Sequence, residues 1–208
     1  MSEYPVPDKL IALSIDDGPS EVTNELLTVL KRLGIKASFF LIGQNVRNNQ
    51  DKTKAIFDAG HEIGNHSDGY EPLGAAAADD IRESLQKTSA AIESITREVP
   101  CMFRAPNVNY GENLFSVCAE MGLPLIGIST RSSDWRSDVD TDAIISNVLS
   151  TAVNNGIINC HELQKTVNAL PAMVHGLRLQ GYEILTVGQL VARKGAFLEA
   201  GICYDLIE

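Results

Sequence analysis

The sequence predicts an α/β fold built on a parallel sheet, and two observations lead to this prediction. Short β-branched or apolar runs alternate with longer segments of helical period along nearly the whole chain. Gly34, Gly60 and Gly122 stand where three of these helices should end, the position that often takes a left-handed residue. The alternation fits an open, doubly wound sheet or a closed (β/α) barrel, and periodicity alone does not choose between them.

Seven strands are predicted where apolar or β-branched residues run together: LIALSI (10–15), KASFFLIG (36–43), HEIGNH (61–66), CMFRA (101–105), LPLIGIST (123–130), GIINCHE (156–162) and YEILT (182–186). Segments of helical period predict helices at 21–34, 50–60, within 74–96, near 112–121, at 141–155, at 166–180 and around 187–191. Each strand is followed by a helix, so we expect a parallel sheet covered by helices.

Length and composition indicate one domain spanning residues 1–208. The 208 residues suffice for one buried core, and no linker or charge block divides them. No apolar run approaches the roughly 18 residues that span a bilayer, so we expect a soluble protein. The net charge of −10 argues against nucleic acid and acidic membranes and favours a neutral partner. We expect a monomer.

The cysteines and the start of the chain bear on its environment. Four cysteines without CxxC spacing argue against a thiolate zinc site and against a disulfide scaffold, so buried free thiols are expected: Cys101, Cys118, Cys160 and Cys203. The first ten residues, MSEYPVPDKL, lack an apolar signal-peptide core. The chain is therefore either intracellular or a mature or excised domain whose signal lay upstream. We expect the secreted form, with a cytoplasmic location as the alternative.

Polar residues gather where five of the predicted strands end. They are Asp16 and Asp17 after the first, His66 after the third, Arg104 and Asn107 after the fourth, Asp134 and Trp135 beyond the fifth, and His161 after the sixth. In parallel α/β folds the carboxyl ends of strands share one face, and active sites are built there. A single Asp in such a turn would be an ordinary turn former, but five strand ends together predict a site.

At these residues the sequence resembles the polysaccharide deacetylase family, also called the NodB-homology family or carbohydrate esterase family four. Its five motifs correspond to SIDDGP (14–19), NHSDGY (65–70), RAPN (104–107), SDW (133–135) and NCH (159–161), in the family's order over about residues 9–190. The resemblance implies a distorted (β/α) barrel of about seven parallel strands with outer helices. It also implies a metal-dependent hydrolase that removes acetyl groups from sugars.

The resemblance further implies roles for the acids and bases. Asp17 and His66 would hold one divalent cation, suited to zinc, cobalt, nickel or manganese, and Asp16 would be the general base. Using both neighbouring aspartates requires the strand to end there, and Gly18-Pro19 would supply the turn. Arg104 would pair with Asp16 and keep its carboxylate ionised; an ordinary salt bridge is the alternative.

The remaining roles concern the leaving group and the substrate. His161 would be the general acid, oriented by Asp134; a satisfied core histidine is the alternative. Asn107 would offer its backbone N–H to the developing oxyanion, and Trp135 would wall the acetyl pocket unless it is plain core. His61 and His175 are expected to be structural and at the surface, respectively. Asn159 stands where the family usually has leucine, which predicts an acetyl pocket that is wetter or opens differently. Glu162 replaces the common aspartate.

Tyr70 stands where most of the family has a second metal-binding histidine. A neutral phenol, with a reference pKa of about 10, is a poor ligand, so we expect two protein ligands, weaker metal binding and a water-rich site. Acetylxylan esterases of the clostridial type share this tyrosine and the asparagine at 107. The expected activity is therefore O-deacetylation of acetylated xylan. The alternatives are N-deacetylation of chitin, chitooligosaccharides or peptidoglycan and, more remotely, sugar binding without catalysis.

Overall fold

Residues 4–208 are described by the computed structural model, and parallel strands form its centre. The strands are β1 (Lys9–Gly18), β2 (Ser38–Leu41), β3 (Glu62–Asn65), β4 (Leu125–Ile126), β5 (Thr130–Arg131), β6 (Gly156–His161), β7 (Tyr182–Leu185) and β8 (Cys203–Tyr204). The helices are α1 (Thr23–Leu33), α2 (Gly43–Asn48), α3 (Gln50–Asp58), α4 (Ala78–Thr96), α5 (Glu112–Glu120), α6 (Thr141–Thr151), α7 (Gln164–Leu179) and α8 (Val187–Lys194). Two short 3₁₀ turns lie at Leu73–Ala75 and Pro106–Val108.

The strands curl into a distorted barrel. The main sheet has the order β3-β2-β1-β6-β5, with β7 also paired to β1, and every one of these pairs is parallel. Single bridges from Phe103 to Asn65 and to Leu125 continue the sheet from β3 to β4. Only residues 127–129 then separate β4 from β5. The predicted barrel with outer helices is therefore confirmed.

Two predicted strands are shorter than expected. The segment 101–105 pairs only at Phe103, because the flanking Pro100 and Pro106 have no N–H to extend a ladder. The segment 123–130 divides into β4 and β5, and between them the Arg104 side chain donates to the backbone carbonyls of Ile126 and Gly127. Helix α2 and strand β8 were not predicted, since each is too short to show a period.

The helices pack their apolar faces on the barrel. In α1, for example, Leu26, Val29 and Leu30 are buried in the largest cluster of core residues. This cluster also contains the apolar residues Leu13 and Ile15 of β1, so the layer of helices and the sheet share one core. The core thus fixes β1, whose C-terminal end carries Asp16 and Asp17.

The predicted helix ends are confirmed, and the cysteine prediction is confirmed in part. Gly34, Gly60 and Gly122 have φ of 65°, 75° and 73°, the left-handed region that ends a helix. All four cysteines are free, but only Cys118 and Cys160 are buried, whereas Cys101 is exposed and Cys203 lies at an intermediate depth. The expectation that all four are buried is therefore wrong. Within residues 4–208 no helix is long and apolar enough to cross a membrane.

Candidate active site

The predicted site residues meet at one cavity at the carboxyl ends of the strands. The cavity has a volume of about 350 Å³, and eight of the nine residues line it: Asp16, Asp17, His66, Tyr70, Arg104, Asn107, Trp135 and His161. The ninth, Asp134, lies behind His161 and is fully buried. The barrel thus brings together residues that lie more than 140 positions apart in the sequence, as expected for residues at the carboxyl ends of parallel strands.

A bulge in β1 directs both aspartates to this cavity. The sequence suggested that the strand ends at the two aspartates. In the structure β1 instead runs to Gly18, with a register shift between Asp16 and Gly18. Asp17 takes a left-handed φ of 73°, which Asp tolerates better than most residues. A bulge reverses the usual alternation of side chains, so Asp17 faces the same cavity as Asp16. The peptide bond that follows, Gly18–Pro19, is cis.

Arg104 fixes the carboxylate of Asp16. Its Nη1 donates to Asp16 Oδ1 at 2.8 Å and to Ser14 Oγ at 2.6 Å. Its Nε and Nη2 donate to the backbone oxygens of Ile126 and Gly127 at 3.0 and 2.9 Å. The guanidinium is 1% exposed, so this pair is a buried one with most of its donors satisfied inside the protein. The pairing of Arg104 with Asp16 predicted from sequence is present.

Asn159 holds the other oxygen of the same carboxylate. Its Nδ2 donates to Asp16 Oδ2 at 2.8 Å, and the residue is 6% exposed. The sequence predicted a wetter pocket here because asparagine replaces the family's leucine. The structure instead turns the amide onto Asp16, so the carboxylate is held on both oxygens. The sequence shows that asparagine replaces leucine here, but it does not show in which direction the side chain points.

His66 and Asp17 fit a divalent cation. The Nδ1 of His66 lies 2.7 Å from the backbone oxygen of Arg104, which can only accept, so Nδ1 carries the proton and Nε2 presents its lone pair. That Nε2 is 3.4 Å from Asp17 Oδ1 and 3.9 Å from Asp16 Oδ2. An imidazole nitrogen of fixed tautomer beside a carboxylate oxygen suits zinc, cobalt, nickel or manganese. Within residues 4–208, no group of three His, Cys, Asp or Glu side chains has metal-holding geometry.

Tyr70 borders the cavity as a neutral phenol. The residue is 57% exposed, and partial burial together with the charge of Asp17 raises the pKa of its hydroxyl, against a hydrogen bond with Asn45 that lowers it. A phenol that resists deprotonation does not replace an imidazole as a metal ligand. Water would therefore complete the coordination of a cation held by Asp17 and His66.

His161 is held as a charged donor by Asp134. Its Nδ1 lies 2.6 Å from Asp134 Oδ1, and Asp134 Oδ2 accepts from the His161 backbone N–H at 2.7 Å and from Thr166 Oγ1 at 2.6 Å. Burial lowers the pKa of His161, but the hydrogen bond and charge of Asp134, with Asp16 and Asp17, outweigh it and raise the pKa to about 9. Burial likewise raises the pKa of Asp134, and the contacts with His161 and Thr166 bring it below its usual value. The Nε2 of His161 is left for a ligand.

Asn107 and Trp135 both line the cavity. Asn107 lies in the 3₁₀ turn Pro106–Val108 with φ of 56°, and Val108 follows with φ of 54°. A left-handed β-branched residue is strained, and such strain is typical of functional loops. Trp135 is 68% exposed, which excludes the alternative that it is plain core. A second cavity of about 520 Å³ adjoins the first and shares Tyr70, Trp135 and Asp17 with it.

Two histidines lie outside the site, as predicted. His61 is buried, accepts from the backbone N–H of Ala37 at 3.1 Å and packs edge-on against Phe39. Burial and the charge of Lys36 lower the pKa of His61 to about 4, so it is a neutral structural residue. His175 is exposed on α7.

Comparison with known proteins identifies relatives of this arrangement. A family model described as polysaccharide deacetylase matches residues 3–126. A bifunctional xylanase/deacetylase of Pseudobutyrivibrio xylanivorans is 36% identical over 191 residues, which cover 90% of this chain and 31% of the relative. A peptidoglycan-N-acetylglucosamine deacetylase of Listeria monocytogenes is 34% identical over 189 residues, covering 90% of this chain and 40% of that protein.

A solved structure extends the comparison to three dimensions. The family 4 acetyl xylan esterase of Clostridium thermocellum, solved in complex with a cobalt ion, aligns with a TM-score of 0.88 and 30% identity. The alignment covers 96% of this chain and 99% of that one. By contrast, the chain spans only 31% to 40% of the two curated relatives above, which contain further sequence.

Proposed function

This chain belongs to the polysaccharide deacetylase family, and we propose that it hydrolyses O-acetyl esters on acetylated xylan. As a member of the family it is a hydrolase that acts on acetylated carbohydrates. One observation carries the proposed mechanism. Asp16 and His161 are directly paired in the parallel β1–β6 ladder, so a base and an acid project from neighbouring strands, about 4.8 Å apart at the backbone, to one face.

In the proposed mechanism Asp16 is the general base. Arg104 and Asn159 hold its two oxygens, so the carboxylate does not need to reorient before it takes a proton from the attacking water. His161 is the general acid, because Asp134 keeps it protonated and directs Nε2 away from itself. The acid gives its proton to the leaving sugar oxygen, which prevents an alkoxide from forming.

Asp17 and His66 would hold a divalent cation in this site. When bound, such a cation supplies Lewis-acid polarisation of the acetyl carbonyl and activation of water. His66 contributes through the fixed tautomer that its bond to the Arg104 backbone imposes. The backbone N–H of Asn107 would donate to the developing oxyanion, and Trp135 would exclude water from the methyl group of the acetyl.

Three features support xylan esters as the substrate. Tyr70 leaves two protein ligands for the cation, and an ester has a better leaving group than an amide, so a weaker Lewis acid suffices. The acetyl xylan esterase of Clostridium thermocellum aligns over nearly its whole length, and a xylanase/deacetylase is among the relatives. The second cavity continues the first past Tyr70 and Trp135, which suits a polymer better than a small ester.

N-deacetylation of an amino-sugar polymer is the second candidate. The relative from Listeria monocytogenes acts on peptidoglycan N-acetylglucosamine, and its 34% identity spans 90% of this chain. The same acid, base and cation would serve an amide. The two candidates differ in the groove and in the leaving group, not in the residues that transfer protons.

The test is acetate release by metal-stripped protein after cobalt, zinc, nickel or manganese is added back in turn. Acetylated xylan, chitooligosaccharides and peptidoglycan serve as parallel substrates. We expect release from xylan that depends on added metal. Release from the amino-sugar substrates alone would transfer the proposal to N-deacetylation, and release without any metal would contradict the metal role.

We also propose that the protein acts outside the cell as a monomer. A polymeric substrate does not cross a membrane, and residues of one chain complete the described cavity. Fractionation of the producing cells tests the location. Light scattering after size exclusion tests the monomer, for which a mass of 22.5 kDa is expected.

A further inference from the structure

Arg131 is exposed and lines the cavity from β5, two strands away from β1, which carries Asp16 and Asp17. It ends β5, and its register partner on β6 is Asn159. Paired residues of parallel strands project to one face, so Arg131 starts on the same face as Asn159, and it lines the cavity. Two strand spacings separate β5 from β1, a distance of about 10 Å.

The guanidinium of Arg131 is available to a ligand. Two arginines line the cavity, and Arg104 is buried with its donors engaged by Asp16 and by backbone oxygens. Arg131 is exposed and has no hydrogen bond or ion pair from its side chain to any residue within 4–208. Its five N–H groups therefore face solvent or the cavity.

The acidic residues nearest in the chain are engaged elsewhere. Asp134 accepts from His161 and Thr166, and Asp138 pairs with Arg136 at 2.7 Å. Arg131 is thus a positive charge that no neighbouring carboxylate of the described chain neutralises. Its counterpart is expected to come with the substrate.

The net charge of −10 does not prevent an anionic group from binding here. Charges further than about 8 Å are largely screened at physiological ionic strength, so local charges decide. Among the carboxylates that line the cavity, Asp16 is paired with Arg104 and Asp17 lies beside His66, so neither forms an ion pair with Arg131.

We infer that Arg131 binds a carboxylate of the substrate, on a sugar or branch next to the one that loses its acetyl group. This inference rests on the proposed function and specifies its substrate class as acidic acetylated polysaccharides. The guanidinium fork matches a carboxylate with two parallel hydrogen bonds. The separation of about 10 Å between β5 and β1 exceeds the size of an acetyl group, so the carboxylate belongs to a neighbouring unit.

Two kinds of polymer carry such a carboxylate. Xylan carries uronic acid branches, and peptidoglycan carries the lactyl carboxylate of muramic acid wherever the peptide stem that is otherwise joined to it has been removed. The recognition chemistry is the same for both, and the substrates in the test separate them.

The experiment measures kcat/KM for acetate release by the metal-loaded enzyme on two matched pairs of oligosaccharides. One pair is acetylated xylo-oligosaccharides with and without a glucuronic acid branch. The other is N-acetylglucosamine–muramic acid oligosaccharides with the carboxylate free or converted to its amide. The wild-type protein is compared with Arg131→Gln and Arg131→Glu. Arg136→Gln is the control, since Arg136 is exposed nearby and pairs only with Asp138.

We expect the wild-type enzyme to prefer the charged member of one pair by about tenfold, the scale of a charged hydrogen bond. Arg131→Gln should bring the ratio near one, Arg131→Glu below one, and Arg136→Gln should leave it as in the wild type. Equal rates on both members of each pair, or a preference that survives Arg131→Glu, would overturn the inference while leaving the deacetylase intact. If no substrate released acetate, the proposed function would fail and this inference with it.

Discussion

The side-chain amide of Asn159 donates to Asp16 Oδ2 at 2.8 Å, on the opposite oxygen from the one that Arg104 occupies. The carboxylate of the proposed base is therefore fixed by one charged and one neutral donor. Both donors come from outside β1, so the geometry of the base depends on the packing of β6 and of the segment that follows Phe103.

Replacing Asn159 tests this arrangement through stability. Asn159→Leu removes one hydrogen bond and should lower the free energy of unfolding by about 1 kcal/mol. Asn159→Asp places a second carboxylate against Asp16 and should cost about 1–3 kcal/mol more at pH 7. Urea denaturation measures both. Equal stability of the two variants would mean that the amide does not face Asp16 in solution.

Asp16→Asn tests the general base. The variant keeps the shape of the side chain and leaves Asp17 and His66 in place, although its amide can accept from only one of Arg104 and Asn159. It should retain metal binding and lose on the order of 10² to 10⁴ in kcat. The measurement is steady-state acetate release, with metal content determined on the same samples. Asp138→Asn serves as the control because Asp138 is exposed and pairs with Arg136. Full activity in Asp16→Asn would show that another group takes the proton.

The pH dependence tests His161 and Asp134. Since the pKa of His161 is raised to about 9, the acid is protonated below that pH, and activity should fall as the pH rises through it. A bound cation adds positive charge and should move this alkaline limb below 9. Asp134→Asn removes the carboxylate that raises the pKa and should shift the limb down by at least one pH unit. The kcat profile on a soluble acetyl ester measures the shift. Identical profiles would exclude His161 as the acid.

The same pKa predicts a stability change with pH. The folded pKa of about 9 exceeds the ordinary value of 6.5, so the folded state binds the proton more tightly. This contribution is fully present below pH 6.5 and is lost as the pH rises towards 9. The wild type and Asp134→Asn differ in their free energy of unfolding, and this difference should therefore shrink between pH 6.5 and 9. A constant difference across that range would contradict the raised pKa.

Tyr70→His tests the proposed metal site without reference to activity. A second imidazole adds a ligand to the pair Asp17 and His66, so the affinity for zinc or cobalt should rise at least tenfold. Tyr70→Phe is the matched control and should bind as the wild type does, because the phenol is not a ligand. Calorimetric titration of metal-stripped protein measures all three. Unchanged affinity in Tyr70→His would show that residue 70 does not face the cation.

The alternation of strands and helices and the convergence of the site could be predicted because both follow from local patterns, whereas the closed barrel was implied only by the resemblance to the family. Apolar runs and the glycine at 34 define strands and helix ends, and polar residues after strands share one face. The conformation of Asp17 was beyond this reasoning, since a bulge depends on the register between β1 and β2. The contact of Asn159 and the unpaired state of Arg131 were missed because both depend on which neighbour a side chain meets.

Arg104 also joins two parts of the fold that the backbone leaves apart. Its guanidinium bonds the carbonyls of Ile126 and Gly127, where β4 and β5 are interrupted, while facing Asp16. Without Arg104 these two carbonyls and the carboxylate of Asp16 would lose a donor each, so the arginine has a structural role besides its pairing with Asp16. Arginine at this position is therefore weak support for activity in a related sequence, and Asp16 with His161 is the better criterion.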